Sequence, residues 1–133
     1  MADKNQTRRV LVLEDEPIIS RILLRILEAA GLEADIACNG LIAKEKMNTG
    51  IVYDLFIFDI RTPIISGMQL YEDIQTTHPE LANKVTFISG DYLSRATCEF
   101  LERVKRPFLA KPFTPDQIMN LVKQVLQPEL TSV

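Results

Sequence analysis

The chain has 133 residues, 47% of them hydrophobic and 25% charged, with a net charge of −3 and a pI near 5.2. That is enough for one domain with a buried core, and its acidic balance argues against a nucleic-acid-binding face. No apolar stretch reaches the ~18 residues of a membrane span. Residues 1–9 lack the apolar core of a secretory signal, and Cys38 and Cys98, without metal-ligand spacing, read as reduced thiols of a cytoplasmic protein.

In chain order, Val10 to Leu13 is continuously apolar and reads as a fully buried strand. Pro17 then opens a helix whose stripe is Ile18, Ile19, Ile22, Leu23, Ile26 and Leu27, and Gly31 is placed to stop it. Leu32 to Ala37 is the second strand, and Leu41 to Met47 a short helix. Tyr53 to Phe58 is the third strand. A loop from Arg61 to Gly67 follows, punctuated by Pro63 and Gly67, then a helix over about Met68 to Thr76. Val85 to Ile88 is the fourth strand, Leu93 to Val104 a helix, and Phe108 to Ala110 a short fifth strand. Thr114 is placed to cap a last helix with Pro115 in its first turn and Ile118, Leu121, Val122 and Val125 on its stripe. Residues 1–8 and 127–133 read as polar tails around a single domain over 9–126. Met47, Met68 and Met119 read as core or gap-filling, and His78 as a surface residue at a helix end.

Strands alternating with helices predict an α/β fold, a parallel sheet covered on both faces. In such sheets ligands bind outside the carboxyl ends of the strands, where strand order reverses. Polar residues stand at four of those ends: Glu14-Asp15, Asp59, Ser89 and Lys111. A carboxylate at the exit of a buried strand is costly unless something pairs with it or uses it. Acids, a hydroxyl and an ammonium at four strand ends predict one site.

These residues resemble a response-regulator receiver domain, the phospho-accepting half of two-component signalling. The resemblance rests on Glu14-Asp15, on Asp59 with Pro63 and Gly67 after it, on Ser89-Gly90 and on Lys111-Pro112-Phe113, and covers Arg9 to Leu126. It implies a doubly wound, flavodoxin-like sheet of five parallel strands in the order 2-1-3-4-5 with five helices. It implies transfer of a phosphoryl group to Asp59 from a histidine kinase or histidine phosphotransfer protein. Mg²⁺ (or Mn²⁺) would be held by Asp15, Asp59, the backbone carbonyl of Arg61 and Glu14, the last directly or through water. Oxygen donors with one or two carboxylates suit that ion. Lys111 would pair with Asp59 and then with the phosphoryl oxygens. Ser89 would turn its hydroxyl to the phosphoryl group and Phe108 would fill the vacated space, switching a protein-binding surface for a downstream target. The bond before Pro112 would be cis.

Three residues depart from the family pattern. Glu14 stands where Asp is commoner, Phe108 where tyrosine is familiar, and Thr62 where a large apolar residue is expected. At the mouth, Arg61 and Asp91 lie two residues past Asp59 and Ser89, positions that in this family tune the lifetime of the phosphoryl group. Their opposite charges predict a pair that slows hydrolysis. Other functions fit less well. A haloacid-dehalogenase-like hydrolase needs an acid two residues after its nucleophile, where this chain has Arg61, so the chain is expected to catalyse only its own phosphorylation and dephosphorylation. A flavodoxin-like carrier needs a phosphate-cradling loop where this chain has Glu14-Asp15-Glu16. A degenerate receiver kept only for protein binding would lack Asp59, Asp15 or Lys111. With no room expected after Leu126 for a DNA-binding helix-turn-helix, direct transcription control is not expected of this chain, and its acidic charge and lack of a long apolar stretch predict neither a nucleic-acid nor a membrane partner.

Overall fold

The computed structural model describes residues 7–127; the expected tails over residues 1–6 and 128–133 lie outside the described residues. Five parallel strands, β1 (Arg9–Leu13), β2 (Glu33–Ala37), β3 (Leu55–Asp59), β4 (Val85–Ser89) and β5 (Phe108–Ala110), form one sheet in the order β2-β1-β3-β4-β5. The helices are α1 (Pro17–Ala29), α2 (Gly40–Met47), α3 (Gly67–Thr77), α4 (Arg95–Val104) and α5 (Pro115–Leu126). Among the described residues no helix is long and apolar enough to cross a membrane.

The central strands β1, β3 and β4 are buried on both faces, which is why they read as largely apolar runs, whereas the edge strands β2 and β5 are only partly buried. Val10 and Val12 of β1 join Leu55, Ile57, Ile88, Leu23, Leu27, Ile118 and Val122 in the core on one side of the sheet. Leu11 and Leu13 point to the other side, with Phe56, Phe58, Phe87, Leu70, Tyr71 and Phe100. The second core is aromatic. Phe87 meets Tyr71 and Phe100 edge to face, with ring centres 5.3 and 5.1 Å away, contacts worth about 0.5–1.5 kcal/mol each beyond burial. Met47 and Met68 pack at the edge of this aromatic core and Met119 at the edge of the other.

Local chemistry sets the boundaries. Pro17 starts α1, and Gly31 beyond its end takes φ +83°, a left-handed turn that favours glycine. Ser66 and Thr114 build capping boxes with Gln69 and Gln117 for α3 and α5. The third strand starts two residues later than expected and runs one further, to Asp59. It begins at Leu55, because Asp54 instead exchanges bonds with Arg9, accepting from Arg9 N through Oδ2 and donating its own N–H to Arg9 O. The fourth helix begins at Arg95 rather than Leu93, because Ser94 Oγ accepts from Thr97 N and caps it there. An unexpected 3₁₀ helix, Pro79–Lys84, joins α3 to β4. It follows from Pro79 fixing the backbone after exposed His78.

Candidate phosphorylation and metal site

The sheet topology puts the polar strand ends together. The chain leaves β1 for β2 on one side, and β3 lies on the other, so strand order reverses between β1 and β3. Glu14 and Asp15 follow β1 and Asp59 ends β3, directly across that point. Ser89 ends β4, where the register pairs its neighbour Ile88 with Asp59. Lys111 follows β5 and donates its backbone N–H to Ser89 O at 2.9 Å. The Lys111–Pro112 peptide bond is cis.

Lys111 reaches back across the sheet end into the acids. Its Nζ lies 2.7 Å from Asp59 Oδ2, 2.7 Å from Glu14 Oε1 and 3.0 Å from Glu16 Oε1. Asp59 and Glu14 are buried, at 5% and 1% exposure. Burial alone would lower the Lys111 pKa, but hydrogen bonds to Asp59 and Glu16 and the close charge of Glu14 outweigh it and hold the ammonium above its ordinary value. Burial pushes the Glu14 carboxyl up, to about 7, against the pull of Lys111 and of the Glu16 N–H that donates to Glu14 Oε2 at 3.0 Å.

Glycine shapes the floor. A Cβ at Gly67 would sit 2.1 Å from the carbonyl oxygen of Asp59, so only glycine lets α3 start against the end of β3. Beside the pit an open groove of about 490 Å³ is lined by Asp15, Arg61, Thr62, Pro63, Met68 and Ala96.

The residues present fit a hard divalent cation. Carboxylate oxygens of Glu14, Asp15 and Asp59 lie within 4.8 Å of one another. The Glu14 Oε1 atom, though close to Lys111, is buried without a well-directed hydrogen bond, and its carboxyl is held high by burial. A cation bound by three oxygens would satisfy both features.

At the mouth Arg61 and Asp91 pair, Arg61 Nε on Asp91 Oδ2. Arg61 N donates to Asp59 Oδ1 at 3.2 Å. Ser89 is 1% exposed, and its Oγ accepts from Asp91 N at 2.9 Å. Phe108 is apart from the pit. It sits half-buried on β5 opposite Phe87, against the aromatic core. Sequence reasoning missed two contributors. Glu16 meets Lys111, a role for which the Glu14-x-Glu16 spacing was the available signal. Ser94 accepts from Arg61 Nη2 at 3.4 Å, and nothing in the sequence marks that contact.

Comparison with known proteins agrees with this arrangement. The family model described as the response regulator receiver domain matches residues 10–123. A probable transcriptional regulator, ycf29, of Porphyra purpurea is 27% identical over 88% of this chain and 56% of its own length. The sensor kinase CckA of Brucella abortus is 31% identical over 96% of this chain and 13% of its own. The chain thus spans about half or less of these curated relatives. Among solved structures, the response regulator protein TrrA of Thermotoga maritima, in complex with Mg²⁺-BeF, is 30% identical and superimposes with a TM-score of 0.76, covering 90% of this chain and all of that one. With its strand order, its acid-and-lysine pit and a family match over nearly its whole length, this chain belongs to the response regulator receiver domain family.

Proposed function

We propose that this receiver takes a phosphoryl group onto Asp59 from a phosphohistidine on a histidine kinase or phosphotransfer protein, and signals by protein contact from the cytoplasm. The observation that carries the reading is Asp59 itself, buried at the end of β3, 2.7 Å from Lys111 and within reach of the carboxylates of Glu14 and Asp15. Asp59 Oδ attacks phosphorus in line. The P–N bond to the donor imidazole breaks, the imidazole keeps the electron pair, and a P–O bond to Asp59 forms.

An anion attacking an anionic phosphoryl group needs its charge neutralised. Mg²⁺ (or Mn²⁺), held by Asp15, Asp59, Glu14 and the Arg61 carbonyl, supplies that neutralisation when bound. Lys111 contributes from the opposite side, exchanging its contact with Asp59 for one with a phosphoryl oxygen. Ser89 then turns its hydroxyl to the phosphoryl group, and Phe108 moves into the space left behind, changing the surface offered to a downstream protein. Arg61 and Asp91, both at the mouth, restrict the approach of water and lengthen the life of the acyl phosphate. Exposed free Cys38 and Cys98 suit a reducing compartment. The presence of Asp59, Asp15 and Lys111 in one pit favours phospho-acceptance over a module kept for binding alone.

The test is incubation with Mg²⁺ and acetyl phosphate, read by intact mass. The wild type gains one phosphoryl mass and Asp59→Asn gains none. With donor removed, Arg61→Ala and Asp91→Ala lose the group faster than wild type. No mass gain in wild type would leave the binding-only reading, and equal decay rates would remove the role given to the pair.

A further inference from the structure

Arg61 spans two loops. Its backbone N–H is tied to the carboxylate of Asp59 at 3.2 Å. Its guanidinium crosses to the loop between β4 and α4, where Nε pairs with Asp91 and Nη2 donates to Ser94 Oγ at 3.4 Å. Each of these partners holds something in turn. Asp91 N donates to Ser89 Oγ at 2.9 Å, and Ser94 N donates to Asp91 O at 3.4 Å. Ser94 Oγ also accepts from Thr97 N at 3.2 Å and so caps α4. One planar cation therefore meets both the turn that holds Ser89 and the cap that starts α4.

Thr97 is an independent observation. It lies in the first turn of α4, fully buried, and its Oγ1 has no hydrogen-bond partner. A buried hydroxyl left unpaired is unfavourable. The first turn of α4 thus sits where its own residues are not best satisfied, and something outside the helix must favour that placement. Phe100 is the one large side chain that α4 buries fully, so little else fixes its near end.

We propose that Arg61 is a latch. Its fork holds the first turn of α4 and the Ser89 hydroxyl in the resting arrangement, and negative charge gained at Asp59 draws the guanidinium away and frees both. The release half rests on the reading of Asp59 as phospho-acceptor; the holding half does not. A guanidinium matches phosphoryl oxygens with two donors at once, and Arg61 is already anchored at Asp59 through its backbone. Turning the guanidinium toward the phosphoryl group takes it from Asp91 and Ser94. Once Asp91 is released, its N–H no longer fixes Ser89 Oγ, and the hydroxyl is free to turn inward. Once Ser94 is released, α4 is free to settle where Thr97 finds a partner. The latch thus joins the switch residue and the helix through one side chain.

The experiment is amide hydrogen exchange on the whole protein. In the metal-free, unphosphorylated state, Arg61→Ala speeds exchange at Asp91, Thr97 and Cys98 roughly 2–5-fold, with β3 amides unchanged, the size expected for losing an exposed charged contact. Arg61→Lys, which keeps a charge but not the fork, loosens the Thr97 and Cys98 amides as well. Thr97→Val, which removes the unpaired hydroxyl, slows exchange in α4 in both backgrounds. Mg²⁺ with beryllium fluoride, as phosphoryl mimic, speeds α4 exchange in wild type and adds little in Arg61→Ala. Unchanged α4 exchange in metal-free Arg61→Ala would overturn the latch, as would a full response to the mimic in that variant. A loosened α4 in Arg61→Ala together with no response of wild type to the mimic would keep the hold but overturn release by charge. Absence of a phosphoryl mass gain in wild type is the separate result that removes the phospho-acceptor reading.

Discussion

Lys111 decides the electrostatics of the site. It is a single ammonium against Asp59, Glu14 and Glu16, and its side chain is only 11% exposed. Removing it strands two buried carboxylates without a counter-charge, and breaking buried pairs costs about 3–5 kcal/mol. Glu14 is already pushed up to about 7 by burial and takes up a proton readily, which softens the loss. Lys111→Ala is therefore expected to destabilise the metal-free protein by about 2–3 kcal/mol, measured by urea unfolding, with part of the loss restored by millimolar Mg²⁺. An unchanged midpoint would mean that the acids do not depend on Lys111. Which acids and which lysine belong together was legible in the sequence, because each follows an apolar strand. The part played by Glu16 was not, because a glutamate in an acidic loop looks the same whether it faces solvent or a lysine 95 residues on.

At the scale of elements, two features lie outside the site. At the opposite end of the sheet, Tyr53 OH donates to Asp35 Oδ2 at 2.7 Å, and Arg9 holds the same carboxylate at 3.1 and 3.2 Å, tying β3's approach to β2 across β1. Burial, then the bond to Asp35 and its charge, raise the Tyr53 hydroxyl above its ordinary value. As pH rises past about 10, the unfolded chain gives up this proton before the folded one does. The stabilisation is thus complete below that pH and is lost as pH climbs towards the folded value. Tyr53→Phe is expected to cost about 1 kcal/mol at pH 7 and to show a shallower fall between pH 9 and 11, followed by urea midpoints. A parallel fall would sink the assignment. The second feature is Ile64 in the loop between β3 and α3, with φ +70° and 69% exposure. A β-branched residue in that region is strained by about 1–3 kcal/mol, while glycine there costs about 0.5–1 in chain entropy. Ile64→Gly is expected to raise stability by about 1 kcal/mol by the same measurement; a fall would mean that the exposed side chain contributes more than its strain costs.

For the whole molecule, an ion held by the three acids would link folding to metal binding. Those acids converge only when β1 and β3 lie side by side, so such an ion would find its site in the folded chain alone. Mg²⁺ at ten times its dissociation constant is expected to stabilise the protein by about 1.4 kcal/mol, seen as a shift of the unfolding midpoint between chelator and Mg²⁺. Asp15→Asn is expected to lose that shift. An equal shift in Asp15→Asn would place the ion elsewhere.

The sequence by itself determined the element order, the central strands buried on both faces and the strand-end residues. Those depend on local apolar runs and on single residues such as Pro17, Thr114 and Pro115 that act on their neighbours. Its errors were local as well. Tyr53 suits a strand by type yet stays outside β3, because Asp54 beside it bonds to Arg9. Leu93 stays outside α4 because Ser94 is the cap. Only the tertiary structure decided that Glu16 meets Lys111, that Arg61 reaches both Asp91 and Ser94, and that Thr97 is buried without a partner. Those facts join residues brought together by the crossovers between parallel strands, and no short-range pattern records a contact made across a fold.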